Sequence, residues 1–289
     1  MVTNMVRDRV WNFAACCASM EEPLVDFLWC RCTRGWRRCL GWKSPSDVRA
    51  VVQAVRVLQF VEMFCGTGNL TAACHRLGLR VGWFDWNLDS QGMDLLTDRG
   101  MARAIMLSLS LMVGATAWFG VPCSTFVFMS RGHTRRSPKQ PLGNTCRPDV
   151  KAANRIVERV MFLVRILAMR QVYWIIEQPL NSLLWVMPVF RQAQEDCTVG
   201  GLAWQRRFVW MGHFGHLLWK PTELVGVFPR LEKSFPSKRP PKRNTSSAYS
   251  QWRNKVGVRR CSGQPGLKAT EHYPPAFCQL AARLIKRQF

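Results

Sequence analysis

Short apolar runs alternate along this chain with longer segments whose apolar positions recur every three or four residues. The short runs read as strands and the longer ones as helices. Strands are predicted over 58–63, 80–84, 115–121, 172–177, 208–211 and 223–228. Helices are predicted over 47–56, capped by Ser46, and over 70–77, 101–112, 152–169 and 275–287, with a helical stretch over 181–194 around Pro188. The segment 130–148 is polar and carries Gly132, Pro138, Pro141 and Gly143, so it reads as a loop. Strands that alternate with helices predict an α/β fold, a mostly parallel sheet with helices on both faces.

One stretch imitates a membrane span. Residues 104–129 carry no charge, but Gly114, Gly120 and Pro122 interrupt them, and Ser108, Ser110, Thr116 and Ser124 dot them. A buried helix followed by a buried strand accounts for the stretch better than one helix crossing lipid. Four regions follow: a Cys- and Trp-rich leader (1–55), a catalytic domain (56–229), a basic arm (230–266) and a C-terminal segment whose helix packs back on the domain (267–289).

Charge changes the picture. The 289 residues include 41 Lys or Arg against 18 Asp or Glu, a formal net charge of +23. A field of that sign attracts polyanions, which makes nucleic acid the expected partner and a membrane an unexpected one. The excess is clustered. Between Arg230 and Arg260 lie Lys238, Arg239, Lys242, Arg243, Arg253, Arg259 and Arg260, with Tyr249 and Trp252 among them. A basic arm with interleaved aromatics can follow phosphates and stack on bases. Arg131, Arg135 and Arg136 form a second basic group. Arg7, Asp8 and Arg9 precede any long apolar stretch, so the chain reads as lacking a signal peptide, with its 12 cysteines reduced and its location nuclear or cytoplasmic. The spacing of Cys30, Cys32 and Cys39 is a poor match to a zinc site, and no metal is expected.

The candidate chemistry sits at strand ends. Phe64-Cys65-Gly66-Thr67-Gly68-Asn69 follows the first strand, Asp85-Trp86 the second, Pro122-Cys123-Ser124 the third, and Glu177-Gln178-Pro179 ends the fourth. Glycines after a strand let backbone N–H groups approach a ligand at a helix start. An acid ending the next strand can accept from ribose hydroxyls, and an indole beside it can cover a base. A cysteine and a glutamate at neighbouring strand ends supply a nucleophile and an acid to one crevice.

These segments resemble the DNA (cytosine-5) methyltransferases, which use S-adenosylmethionine, and are most similar to methyltransferase-like proteins of unicellular algae. Val61–Gly68 resembles the family's first motif, Asp85-Trp86 the second, Asp94-Leu95 the third, Pro122-Cys123 the fourth and Glu177 the sixth. Gln205-Arg206-Arg207 resembles the eighth more faintly, and the Met211–Gly215 and Lys220–Thr222 segments match glycine-rich and Lys-Pro-Thr segments of the algal proteins. The resemblance implies a Rossmann-like methyltransferase fold. It implies that Phe64, Cys65, Gly66, Thr67, Gly68, Asn69, Asp85, Trp86, Asp94 and Pro122 hold S-adenosylmethionine. It further implies that Cys123 adds to cytosine as a thiolate while Glu177 acts as the acid, with Arg131, Arg135 and Arg136 expected to favour the thiolate. DNA is the expected substrate ahead of RNA. Ser124 and Gln178 stand where the family usually has Gln and Asn, and no large target-recognition domain fits before the last helix. Two readings stay beside the first: a binding protein on a decayed methyltransferase fold, and a methyltransferase with another substrate.

Overall fold

The computed structural model describes residues 21–54, 56–237, 249–253, 255–257, 259–263 and 271–289. Three helices open the described chain: α1 (Glu21–Arg31), α2 (Arg34–Leu40) and α3 (Pro45–Gln53). Helix α3 begins earlier than expected because Ser44, not Ser46, is its cap. The Ser44 hydroxyl accepts from Asp47 N–H, the Asp47 carboxylate returns a bond to Ser44 N–H, and Pro45 fits the first turn. Then come β1 (Leu58–Met63), α4 (Asn69–Arg76), β2 (Val81–Phe84), α5 (Asp98–Leu109) and β3 (Leu111–Phe119). Thr97 caps α5 by accepting from Gly100 N–H, so that helix starts and ends some three residues before its expected place.

A short helix α6 (Arg131–Thr134) lies in the predicted loop, and α7 (Pro148–Met169) leads into β4 (Tyr173–Pro179). Pro188 does not sit inside a helix. It starts α8 (Pro188–Val199), where its missing N–H has no intrahelical partner to lose. The chain continues through β5 (Gln205–Trp210), β6 (Pro221–Val227), α9 (Leu231–Ser234), a hairpin of β7 (Tyr249–Arg253) and β8 (Arg259–Gly263), and α10 (Pro275–Lys286). The described parts of the arm thus hold a helical turn and a paired hairpin. Lys238, Arg239, Lys242 and Arg243 lie outside the described residues.

Six strands form one mixed sheet in the order β2-β1-β3-β4-β6-β5. The first four are parallel neighbours, and β6 runs antiparallel to both β4 and β5. Strand periodicity sends alternate side chains to opposite faces. Val61, Met63, Ala117, Phe119, Trp174 and Ile176 join the core formed with α1, α2, α3, α5, α7 and α8. Phe60, Trp118, Ile175 and Leu224 join the other core, built on α4 and α10. The described leader is therefore part of the main core, through Leu24, Leu28, Trp36, Val48 and Val52. The uncharged stretch 104–129 resolves into buried helix, buried strand and turn. Among the described residues no helix is long and apolar enough to cross a membrane.

Candidate active site

The strand register sets the site. Met63 pairs with Phe84 on one side and Phe119 on the other, and Phe119 pairs with Ile176. Phe64, Asp85, Gly120 and Glu177 are therefore the next residues along four adjacent parallel strands. The chain leaves β1 toward β2 on one side of the sheet, then returns to place β3 on the other. Strand order thus reverses between β1 and β3, and ligands of such sheets bind in the crevice beyond the strand ends at that point.

Phe64 turns the chain out of β1 with φ 61°, and Gly66 and Gly68 follow at φ 54° and 68°. The glycines meet that geometry without a Cβ penalty; at Phe64 it is strained. A Cβ built on Gly66 or Gly68 meets no atom of the described residues within 4 Å, so among them the turn borders open space. Buried Asp85 braces it. One carboxylate oxygen accepts from Gly66 N–H at 2.7 Å, and the other accepts from the backbone and side-chain N–H groups of Asn87. Trp86 beside it is 57% exposed. An exposed indole, a strand-end carboxylate and open space along a glycine turn together fit a nucleoside with a small charged tail. Asp94 is half-buried, and its carboxylate accepts from Leu96 N–H within its own turn. Its link to the site runs through Met93, whose sulfur accepts from Asp85 N–H.

Glu62 on β1 lies beneath the turn. Its Oε2 accepts from both N–H and hydroxyl of Thr71 in α4, while Oε1 is buried with no partner among the described residues. Burial pushes its carboxyl up to about 7, against the two Thr71 bonds, and Asp85 adds to the rise.

Pro122 is exposed and Cys123 half-buried at the end of β3. Gln178 positions this segment: its side-chain amide donates to Val121 O, and its Oε1 accepts from Ser182. The residue that follows Glu177 thus ties the Pro-Cys turn to β4, while Glu177 itself points to the opposite face. Burial pushes the Cys123 thiol up to about 11, Glu177 and Glu271 act in the same direction, and Lys220 opposes them. Glu177 is buried, and burial raises its carboxyl above the ordinary range, opposed by Lys220 and by a hydrogen bond from Tyr273. Cys123, Glu177 and Lys220 therefore share one electrostatic environment.

Two expectations about the neighbouring arginines need correction. Arg136 is 2% exposed, so it is no phosphate ligand. Its guanidinium stacks over Phe126 and donates to Pro141 O, Val150 O and the Thr125 hydroxyl, which fixes the loop from within. The cation felt by Cys123 is Lys220, not a residue of the Arg131–Arg136 group. Arg131 is half-buried against Phe128, and Arg135 is exposed. Arg253 is exposed and donates to Gly257 O, and Arg259 and Arg260 pair through their backbone with β7. Arg206 and Arg207 are also engaged, with Glu223 and with Phe235 O.

Sequence reasoning missed Tyr273 altogether and assigned Lys220 no role. Lys220 ends the turn into β6, with φ 36°, and its ammonium donates to Glu271 O at 3.3 Å. The Lys220-Pro221-Thr222 segment was legible as a motif; nothing local marks Tyr273, which reaches the site only because α10 packs on α4. An open depression lined by Leu58, His75, Leu79, Val81 and Trp83 lies at the opposite edge, where β1 and β2 begin. It holds none of these groups. Compared with known proteins, the chain matches no family model and no curated sequence.

Proposed function

We propose that this chain is an S-adenosylmethionine-dependent methyltransferase on a Rossmann-like fold, acting on carbon 5 of cytosine in nucleic acid, DNA ahead of RNA. The observation that carries the reading is the meeting of Cys123 and Glu177 beside the glycine turn, where strand order reverses. Carbon 5 of cytosine is a poor nucleophile. A Cys123 thiolate adding at carbon 6 makes an S–C bond and moves electron density onto ring nitrogen 3, where protonated Glu177 gives up its proton. The resulting enamine is nucleophilic at carbon 5. S-adenosylmethionine, when bound, supplies an electrophilic methyl. Loss of the carbon-5 proton then restores the ring double bond and expels the thiolate, and the proton on ring nitrogen 3 returns to Glu177.

Gly66, Gly68, Asp85 and Trp86 are the residues that fit the cofactor; the exposed indole would cover its adenine and the open glycine turn would admit its methionine part. The excess of basic residues, Arg135 and Arg253 among the exposed ones, supports a polyanionic substrate. One observation favours a second reading, a nucleic-acid-binding protein without turnover: burial holds the Cys123 thiol protonated.

The test is to incubate the protein with S-adenosylmethionine and DNA or RNA and to quantify 5-methylcytosine by mass spectrometry. The intact protein is expected to methylate, and Cys123→Ala to lose all activity. Methylation by Cys123→Ala rejects the mechanism. Cofactor binding in calorimetry without methylation of either nucleic acid points to another substrate, and absence of both supports the non-catalytic reading.

A further inference from the structure

Tyr273 lies just before α10, and its two ends touch the two halves of the site. Its carbonyl accepts from the Asn69 side chain at the start of α4, and its hydroxyl donates to Glu177 Oε2 at 3.3 Å. The same hydroxyl oxygen accepts from Trp118 Nε1–H at 3.1 Å. Gly120 leaves room for this arrangement, since a Cβ there falls 3.1 Å from the Tyr273 hydroxyl. The ring is held edge-on to Trp118, at 6.1 Å between centroids, and tilted against Phe277 at 5.4 Å.

The direction of these bonds has a chemical consequence. An indole N–H can only donate, so the Tyr273 oxygen must accept from Trp118. Its single proton is then directed to Glu177 Oε2, which makes that oxygen an acceptor. With that oxygen engaged as an acceptor, a protonated Glu177 carries its proton on the other oxygen, Oε1, which is buried and has no partner among the described residues. We propose that Trp118 and Tyr273 are positioning residues that fix the proton of Glu177 on Oε1 and aim it at a ring nitrogen that lacks hydrogen.

This inference rests on the cytosine reading above and sharpens it. Cytosine offers an acceptor at nitrogen 3, whereas uracil carries a hydrogen there. A proton fixed on Oε1 accepts the first base and opposes the second, and an unmet buried donor is costly. The groups facing Glu177 are Cys123 after β3, Lys220 before β6 and Tyr273 before α10, and Glu62 on β1 acts on the tyrosine from its other side. Glu271 adds its charge near Cys123.

The test compares the intact protein with Tyr273→Phe, which keeps the ring contacts and removes only the hydroxyl. The kcat for cytosine methylation is expected to fall about tenfold, the upper scale of one lost hydrogen bond between uncharged groups. KM for the nucleic acid should move less than about twofold, because the residue acts through Glu177. The lost bond favoured the ionised carboxylate, so Glu177 keeps its proton to higher pH and the alkaline limb of the kcat profile moves up. An unchanged profile and rate overturn the proposal. A second readout does not need activity: carbon-13 NMR of labelled glutamate carboxyls, with the Glu177 signal identified by its loss in Glu177→Gln. Its titration should move upward in Tyr273→Phe. If the intact protein methylates nothing, the cytosine reading fails, and this titration alone decides: a shift upholds Tyr273 as the residue that sets Glu177, and no shift overturns it.

Discussion

Cys123 carries the residue-scale argument. A thiol at about 11 instead of its ordinary 9.0 holds roughly a hundredfold less thiolate at neutral pH. Its alkylation by iodoacetamide, followed peptide by peptide with mass spectrometry, should therefore rise about tenfold per pH unit from pH 7 to pH 10. Lys220→Met, which removes the opposing cation, should slow it further at every pH. A plateau near pH 8 would mean that the buried environment does not govern this thiol. The types and order of Phe64, Asp85, Cys123 and Glu177 were legible in the sequence because each follows an apolar strand run. What their side chains bond to was not. Arg136 reads as one more basic loop residue, yet its guanidinium fills a buried hole among backbone carbonyls, and a sequence marks no such hole.

At the scale of elements, the β1–turn–α4 unit holds Glu62 against Thr71. Folding raises the Glu62 carboxyl from 4.5 to about 7. Below 4.5 both folded and unfolded chains hold this proton and there is no penalty. Between the two values the folded chain binds the extra proton, so stability falls as pH rises. Above about 7 the full cost is present, on the order of 3 kcal/mol. Glu62→Gln mimics the protonated side chain, and its oxygen can still accept from Thr71. Denaturant unfolding should find it more stable than the intact protein by roughly 1–3 kcal/mol at pH 8 and nearly equal at pH 4.5. Parallel stability curves for the two proteins would refute the assignment.

The six sheet strands were legible from apolar periodicity, β1 at both ends and the others with boundaries off by at most four residues. Helices α1 and α2 were not legible. The short α2 contains Gly35, a poor helix former, and owes its place to tertiary contacts. Its Trp36 is buried, Arg37 stacks on Trp29, and a Cβ at position 35 would collide with Asp98.

Across the whole molecule, strand order brings distant segments into one row. A turn after Met63, an acid after Phe84, a thiol after Val121 and an acid after Ile176 meet because β2, β1, β3 and β4 are successive parallel neighbours. The α/β class and the parallel core were legible, because βαβ alternation permits few arrangements. The antiparallel insertion of β6 between β4 and β5, which delivers Lys220, was not legible; the C-terminal helix was expected to pack back on the domain, but that this brings Tyr273 against Glu177 was not legible. Both depend on long-range packing.

The central claim is that Cys123 adds to cytosine beside the cofactor. Fluorine at carbon 5 blocks the final loss of a proton there, so the S–C bond to carbon 6 persists after methyl transfer. Incubating the protein with 5-fluorocytosine-containing DNA and S-adenosylmethionine should give a protein–DNA adduct that survives denaturation, with the link mapped to Cys123 by mass spectrometry. It should be absent in Cys123→Ala and form on the order of 10²- to 10⁴-fold more slowly in Glu177→Gln. An adduct mapped to another residue, or methylation of ordinary cytosine by Cys123→Ala, would contradict the account.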